Sequence, residues 1–189
     1  MRKFILIAST LLLSAALASA QGSSSGNIFA GYSFENASTS ALENPTRPNL
    51  QGWEASLEGK LAPWIGLVTD FSGHYGPHTY PEVTPYGPIN IAANGDEYEA
   101  LFGPRVSIPV GKCTPFAEVM VGIGHVDTRG ISPGVHASGN SFATAVGGGL
   151  DYRILRIVAL RVEGDYLRTN FFSTSQNDIR LSTGIVLRF

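Results

Sequence analysis

The sequence contains a single cysteine, Cys113, so no disulfide can form within the chain whatever its redox compartment. Charge is scarce too: Asp, Glu, Lys and Arg make up 15% of the 189 residues, against about 25% in an ordinary soluble domain. After the amino terminus no apolar run is long enough for a membrane-spanning helix. The four histidines (His74, His78, His125 and His136) lack zinc-ligand spacing, so neither a metal nor a cofactor is expected. Gly122-Ile123-Gly124 and Gly147-Gly148-Gly149 are not followed by the Lys-Ser/Thr of a phosphate loop, and glycine there instead relieves crowding.

What is present begins with Arg2-Lys3, an apolar run from Phe4 to Leu17, and Ala18-Ser19-Ala20. A short basic region, an apolar core and small residues before the cut predict a signal peptide over residues 1–20. The mature domain is then 21–189. Losing Arg2 and Lys3 moves the formal net charge from −2 to −4, which predicts no nucleic-acid partner.

The carboxy-terminal stretch sets the reading of the rest. Ile179, Leu181, Thr183, Ile185, Leu187 and Phe189 alternate with Arg180, Ser182, Gly184, Val186 and Arg188. That is a strand with one apolar and one polar face. Seven more stretches alternate likewise: 27–34, 50–61, 64–75, 96–108, 114–125, 141–152 and 157–167. Short connections near Pro63, Gly111 and Leu155 interleave with long ones at 35–49, 76–95, 126–140 and 168–178. The long connections are rich in Ser, Asn, Pro and Gly, as loops are. Strict long–short alternation puts every long loop at one end of an up-and-down sheet. The expectation is an all-β, eight-stranded antiparallel transmembrane barrel with short periplasmic turns and long extracellular loops. Pro104 falls inside a strand and removes a ladder donor, so a bulge or bridging water is expected there.

The apolar faces carry Leu, Ile, Val, Phe and Ala, with Trp53, Trp64, Phe71, Tyr152, Tyr166 and Phe189 placed near strand ends, as interface aromatics would be. The polar faces carry Glu54, Glu58, Lys60, Asp70, Glu97, Glu99, Arg105, Glu118, Asp151, Arg161, Glu163, Asp165, Arg180 and Arg188. A soluble barrel has its charge outside. Here hydrocarbon outside requires these groups inside, where they must pair or bind water. Eight strands leave room only for side chains, so the charges are expected to form a lumen ion-pair network without a wide pore. Which acid meets which base is not legible.

The segments FGPRVSIP, TPFAEVMVGIG, FATAVGGGLDY and QNDIRLSTGIVLRF resemble strands of the OmpA/OmpX-like small outer-membrane barrels, the outer membrane protein beta-barrel domain family. The resemblance covers the barrel alone, so a cell-wall tether is not implied. It implies a location in a Gram-negative-type outer membrane, contact with lipid and lipopolysaccharide, and a monomer. It also implies recognition by the barrel-assembly machinery through a carboxy-terminal signal that includes Leu187 and Phe189. The role expected is structural or surface-interacting, through an extracellular ligand of the loops. The alternatives are a low-conductance, porin-like channel and a lipid A-modifying enzyme. His74, His125 and Asp127 near the outer strand ends are the residues that the enzyme reading would use, but no signature surrounds them. The plainer reading puts His74 at headgroup level, and no catalytic residue is expected.

Overall fold

A computed structural model of the chain describes residues 26–36, 49–84, 87–130, 136–171 and 174–189. The expected signal peptide and most of the first long connection lie outside the described residues. The eight strands are β1 (Gly26–Asn36), β2 (Asn49–Ala62), β3 (Ile65–Thr84), β4 (Gly87–Ser107), β5 (Cys113–Gly130), β6 (His136–Arg153), β7 (Val158–Phe171) and β8 (Thr174–Arg188). Each pairs antiparallel with the next, and β1 pairs with β8, so the sheet closes into an up-and-down barrel. Among the described residues no helix is long and apolar enough to cross a membrane.

Closure is made by backbone. Gly26 N–H donates to the Phe189 carbonyl at 2.8 Å, and Phe189 N–H donates back to the Gly26 carbonyl at 3.0 Å. A Cβ on Gly26 would stand 2.6 Å from the Phe189 ring, so a residue without a side chain lets the ring lie across the seam. With the seam shut, the strands of the closed wall leave no edge unpaired toward hydrocarbon.

The period-two pattern becomes an inside and an outside. Val162 is 63% exposed, while Arg161 beside it is 1% exposed. Ile28, Leu67, Phe102, Val121, Phe142, Leu160 and Ile185 all face out. This is the inverse of a water-soluble barrel. Toward the hairpin end, Trp53 lies across Gly73 and its indole N–H donates to the Tyr75 hydroxyl at 3.2 Å. Tyr75 meets Tyr98 edge-on, with centroids 5.9 Å apart. Trp64, Tyr152 and Phe189 are exposed toward the turn end. Phe71 is mid-strand, paired with Ala55 and Ala100, rather than at a strand end.

The turn end follows the expected short connections. Val110 and Cys113 exchange backbone hydrogen bonds around Gly111, whose φ of +63° is a conformation glycine adopts freely. The hairpin end does not follow the expected long loops. β3 and β4 stay in register from Tyr75↔Asp96 to Thr84↔Gly87, nine further pairs, or about 30 Å at the usual strand rise. Above Ala93↔Gly130 and Gln51↔Tyr75, β4 and β3 pair with no other strand among the described residues. Pro77, Pro81 and Pro88 lie in this ribbon. A ribbon with two free edges accepts proline, because alternate N–H groups point away from the partner strand. The stretches 126–140 and 168–178 are likewise mostly continued ladder.

Pro104 does not create a bulge. The β4–β5 ladder stops at Phe102↔Val121 and resumes at Arg105↔Glu118 in the same register. At the gap, a Cβ on Gly103 would run into the Val119 carbonyl oxygen, so glycine permits the close approach that spans the missing donor.

The outward face tests the inversion. Val121→Arg should lower unfolding free energy in lipid vesicles by about 2–4 kcal/mol, as guanidinium does near a bilayer midplane. Val121→Leu should be close to neutral. Urea titration of the refolded barrel measures both, and equal stability of the two variants would contradict a lipid-facing wall.

Candidate functional site

Inward positions converge on a narrow polar lumen, and Arg180 of β8 is its hub. Its Nη2 stands 2.8 Å from Asp165 Oδ2 on β7, and its Nη1 2.8 Å from Asp70 Oδ1 on β3. Nη1 also donates to Ser72 Oγ at 3.1 Å. Glu54 of β2 is 3.4 Å from Nε and Glu99 of β4 3.7 Å from Nη1. One guanidinium thus bridges five strands. A Cβ on Gly147 would overlap Asp165 Oδ1, so that glycine leaves the carboxylate room to reach Arg180.

Nearer the turn end, Arg105 pairs with Glu118 through Nε, with Glu163 at 3.5 Å and with Glu58 at 3.7 Å. Arg161 grips Asp151 with two parallel bonds, at 2.7 and 3.1 Å, and stands 3.5 Å from Glu163. The two guanidinium groups lie over the Phe116 ring, 4.3 and 4.5 Å from its centroid, and Arg161 is also 5.0 Å from Phe29. Stacking satisfies the faces of groups whose edges are ion-paired. At the mouth, half-buried Lys60 meets Glu58 and Ser107, and Arg188 meets Asp151 at 3.5 Å. A cavity of about 200 Å³ opens here, lined in part by Lys60, Arg105, Asp151 and Arg188.

The structure therefore brings Glu54, Asp70, Glu99, Asp165 and Arg180 together in one cluster. Glu58, Lys60, Arg105, Glu118, Asp151, Arg161, Glu163 and Arg188 form another. Leu187 faces out and Phe189 closes the seam.

Glu97, expected on the polar face, is buried inside the barrel beside Glu99. Three further inward residues were placed elsewhere. Glu35 and Asp178 are wholly buried, although the sequence puts both in loops. His74 is not at headgroup level: it is 0% exposed, inside the barrel. Each of the three shares the parity of a neighbour on the polar face (Ser33, Arg180 and Ser72), a signal strong enough to have found them.

Around His74 the geometry is specific. Nε2 is 2.8 Å from Ser33 Oγ, and Nδ1 is 2.9 Å from Glu35 Oε2, an ion-pair separation without hydrogen-bond alignment. Acid, imidazole and hydroxyl stand in the order of a hydrolase triad. Ser33 and His74 are both fully buried, however, and Ser33 Oγ is also 2.9 Å from Ser182 Oγ. A nucleophile so enclosed has no access to a substrate. His125 is apart from this group, exposed and 2.7 Å from Asn140 Oδ1 through Nδ1.

The family model described as outer membrane protein beta-barrel domain matches residues 5–189. Among curated proteins none matches the sequence. Among solved structures, Ail, the attachment invasion locus protein of Yersinia pestis, is 17% identical, with 87% of this chain and 98% of that one covered at a TM-score of 0.60. Ail is also seen in complex with the heparin analogue sucrose octasulfate. Neisserial surface protein A is 11% identical, with 89% and 98% covered and a TM-score of 0.62. OprG of Pseudomonas aeruginosa is 10% identical, with 87% and 95% covered and a TM-score of 0.58. At these identities the likeness establishes the fold.

Arg180→Met should destabilise the barrel by about 3–5 kcal/mol, because it leaves Asp70 and Asp165 buried without their cation. Gly147→Ala should weaken the same pair from the other side. Chemical denaturation of the folded barrel reads both, and an Arg180→Met variant as stable as the parent would remove Arg180 from its central place.

Proposed function

Because this chain belongs to the outer membrane protein beta-barrel domain family, we propose that it is a monomeric outer-membrane scaffold whose lumen is closed by ion pairs and whose hairpin end serves surface interaction. The observation that carries the surface role is the β3–β4 ribbon, which runs past every other strand pairing among the described residues. A rigid barrel that holds one long hairpin clear of its rim is suited to presenting a recognition element. In this reading the ribbon is extracellular and the short turns are periplasmic. Export by a signal peptide over residues 1–20, and insertion by the barrel-assembly machinery through a carboxy-terminal signal including Leu187 and Phe189, belong to the same proposal. So does contact of the apolar wall with lipid and lipopolysaccharide.

The lumen network acts as a structural plug. Arg105, Arg161 and Arg180 each span strands through paired carboxylates, and Phe116 fills the space between two of them. The turn-side cavity favours the porin-like reading only as far as Arg105 and Arg161, which block its floor. No catalytic role is assigned to Ser33, His74 and Glu35, and expression should leave the lipid A mass spectrum unchanged.

Removing residues 77–94 and joining the strands by a short turn should abolish adhesion of barrel-displaying cells to their target surfaces. Heparin, after the analogue seen on Ail, is included among those surfaces. The boiled-versus-unboiled gel shift of the barrel should persist. Unchanged adhesion would remove the surface role. Planar bilayers with refolded protein should show no discrete conductance steps, and regular steps would favour the channel.

A further inference from the structure

The hairpin half of the lumen differs electrically from the turn half. Near the turns every carboxylate cluster has its own guanidinium: Glu118, Glu163 and Asp165 converge within 4.8 Å, and Arg105, Arg161 and Arg180 are paired with them. Glu35, His74 and Glu99 also converge, with one ligand atom from each inside 4.8 Å of the others. Here the cations are fewer. Among the described residues Glu35 has only His74 at ion-pair distance, and Glu99 has Arg180 at 3.7 Å. Both carboxylate oxygens of Glu35, Oε1 of Glu99, Oε1 of the adjacent inward Glu97 and Nδ1 of His74 are buried without a hydrogen-bond partner. Leaving such groups unmatched is expensive away from water.

The hydrogen bonds behind His74 say which nitrogen faces the carboxylates. Ser182 Oγ lies against Glu54 Oε2 and 2.9 Å from Ser33 Oγ. A hydroxyl has one proton, and the carboxylate takes that of Ser182. Ser33 then donates to Ser182 and is left to accept from His74, which fixes the proton on Nε2. The lone pair of a neutral His74 is therefore on Nδ1, the nitrogen 2.9 Å from Glu35 Oε2. A ligating histidine typically has this arrangement, its second N–H held by a fixed acceptor.

We propose that Glu35, His74 and Glu99 bind one divalent transition-metal ion inside the hairpin half of the barrel, with Ser33 orienting the imidazole. One imidazole and two carboxylates make a borderline nitrogen–oxygen donor set with no thiolate, suited to Zn²⁺ or Mn²⁺. A tetrahedral ion with bonds of about 2.0–2.2 Å holds its ligand atoms roughly 3.5 Å apart, within small side-chain adjustments of the spacing seen. The ion would supply the positive charge that arginines supply elsewhere in the lumen.

The test refolds the purified full-length mature barrel into detergent with ZnCl₂ or MnCl₂ present, desalts it and counts metal by mass spectrometry. The gel-shift form identifies folded protein. About one ion per folded parent barrel is expected, with loss in His74→Gln and in Glu99→Gln, two near-isosteric variants of which either suffices if the other does not fold. Ser33→Ala should weaken retention about 10–100-fold, the usual effect of removing an outer-shell partner. His125→Ala should keep its ion. No retained metal in the parent, or equal retention in parent and the folded His74→Gln or Glu99→Gln variant, overturns the site and leaves His74 as an ion-pair partner of Glu35.

Discussion

Arg180 holds a single guanidinium against carboxylates from β2, β3, β4 and β7, and most of the interior is arranged around that arrangement. It exists because of the wall outside it. Hydrocarbon tolerates no unpaired backbone, so the sheet must close, and eight strands close around a space only side chains can fill. Charged groups placed there cannot be left to water. They must be matched atom by atom, and the planar fork of arginine matches two carboxylates at once where an ammonium would meet one.

The same constraint explains where glycine is found. Gly147 makes room for Asp165, Gly103 lets β4 approach β5 beside Pro104, and Gly26 lets the Phe189 ring cross the seam. These positions serve packing and closure, while Gly111 alone among the described glycines has positive φ, in a tight turn. Room left by glycine beside large inward side chains is one consequence of a narrow, inverted barrel.

Strand number, the antiparallel order and the two faces were legible because a period of two persists through every spanning stretch. The ribbon was not. Its Pro, Gly and Asn residues signal loop, and that signal is sound when an edge must pair on both sides. Here, among the described residues, both edges of the ribbon are unpaired, so the local rule loses its physical basis. The hairpin-side lumen was hidden for a related reason. Glu35 and Asp178 sit just beyond the last clearly alternating residues, and His74 sits in a Ser-Gly-His-Tyr run that reads as rim. Parity alone would have carried all three inward. The partners of Arg180 were beyond reach, since they lie as far away in sequence as Glu54, 126 residues earlier (180 − 54), and depend on the stagger of strands around the barrel.

The Gly26–Phe189 seam also governs the order of events in assembly. It joins the two most distant described segments, so it can form only after the intervening hairpins have brought them together. Until that moment β1 and β8 each present a bare ladder, and any partly built sheet needs something else to occupy those edges. Closure is the step after which neither terminal strand has an unpaired ladder.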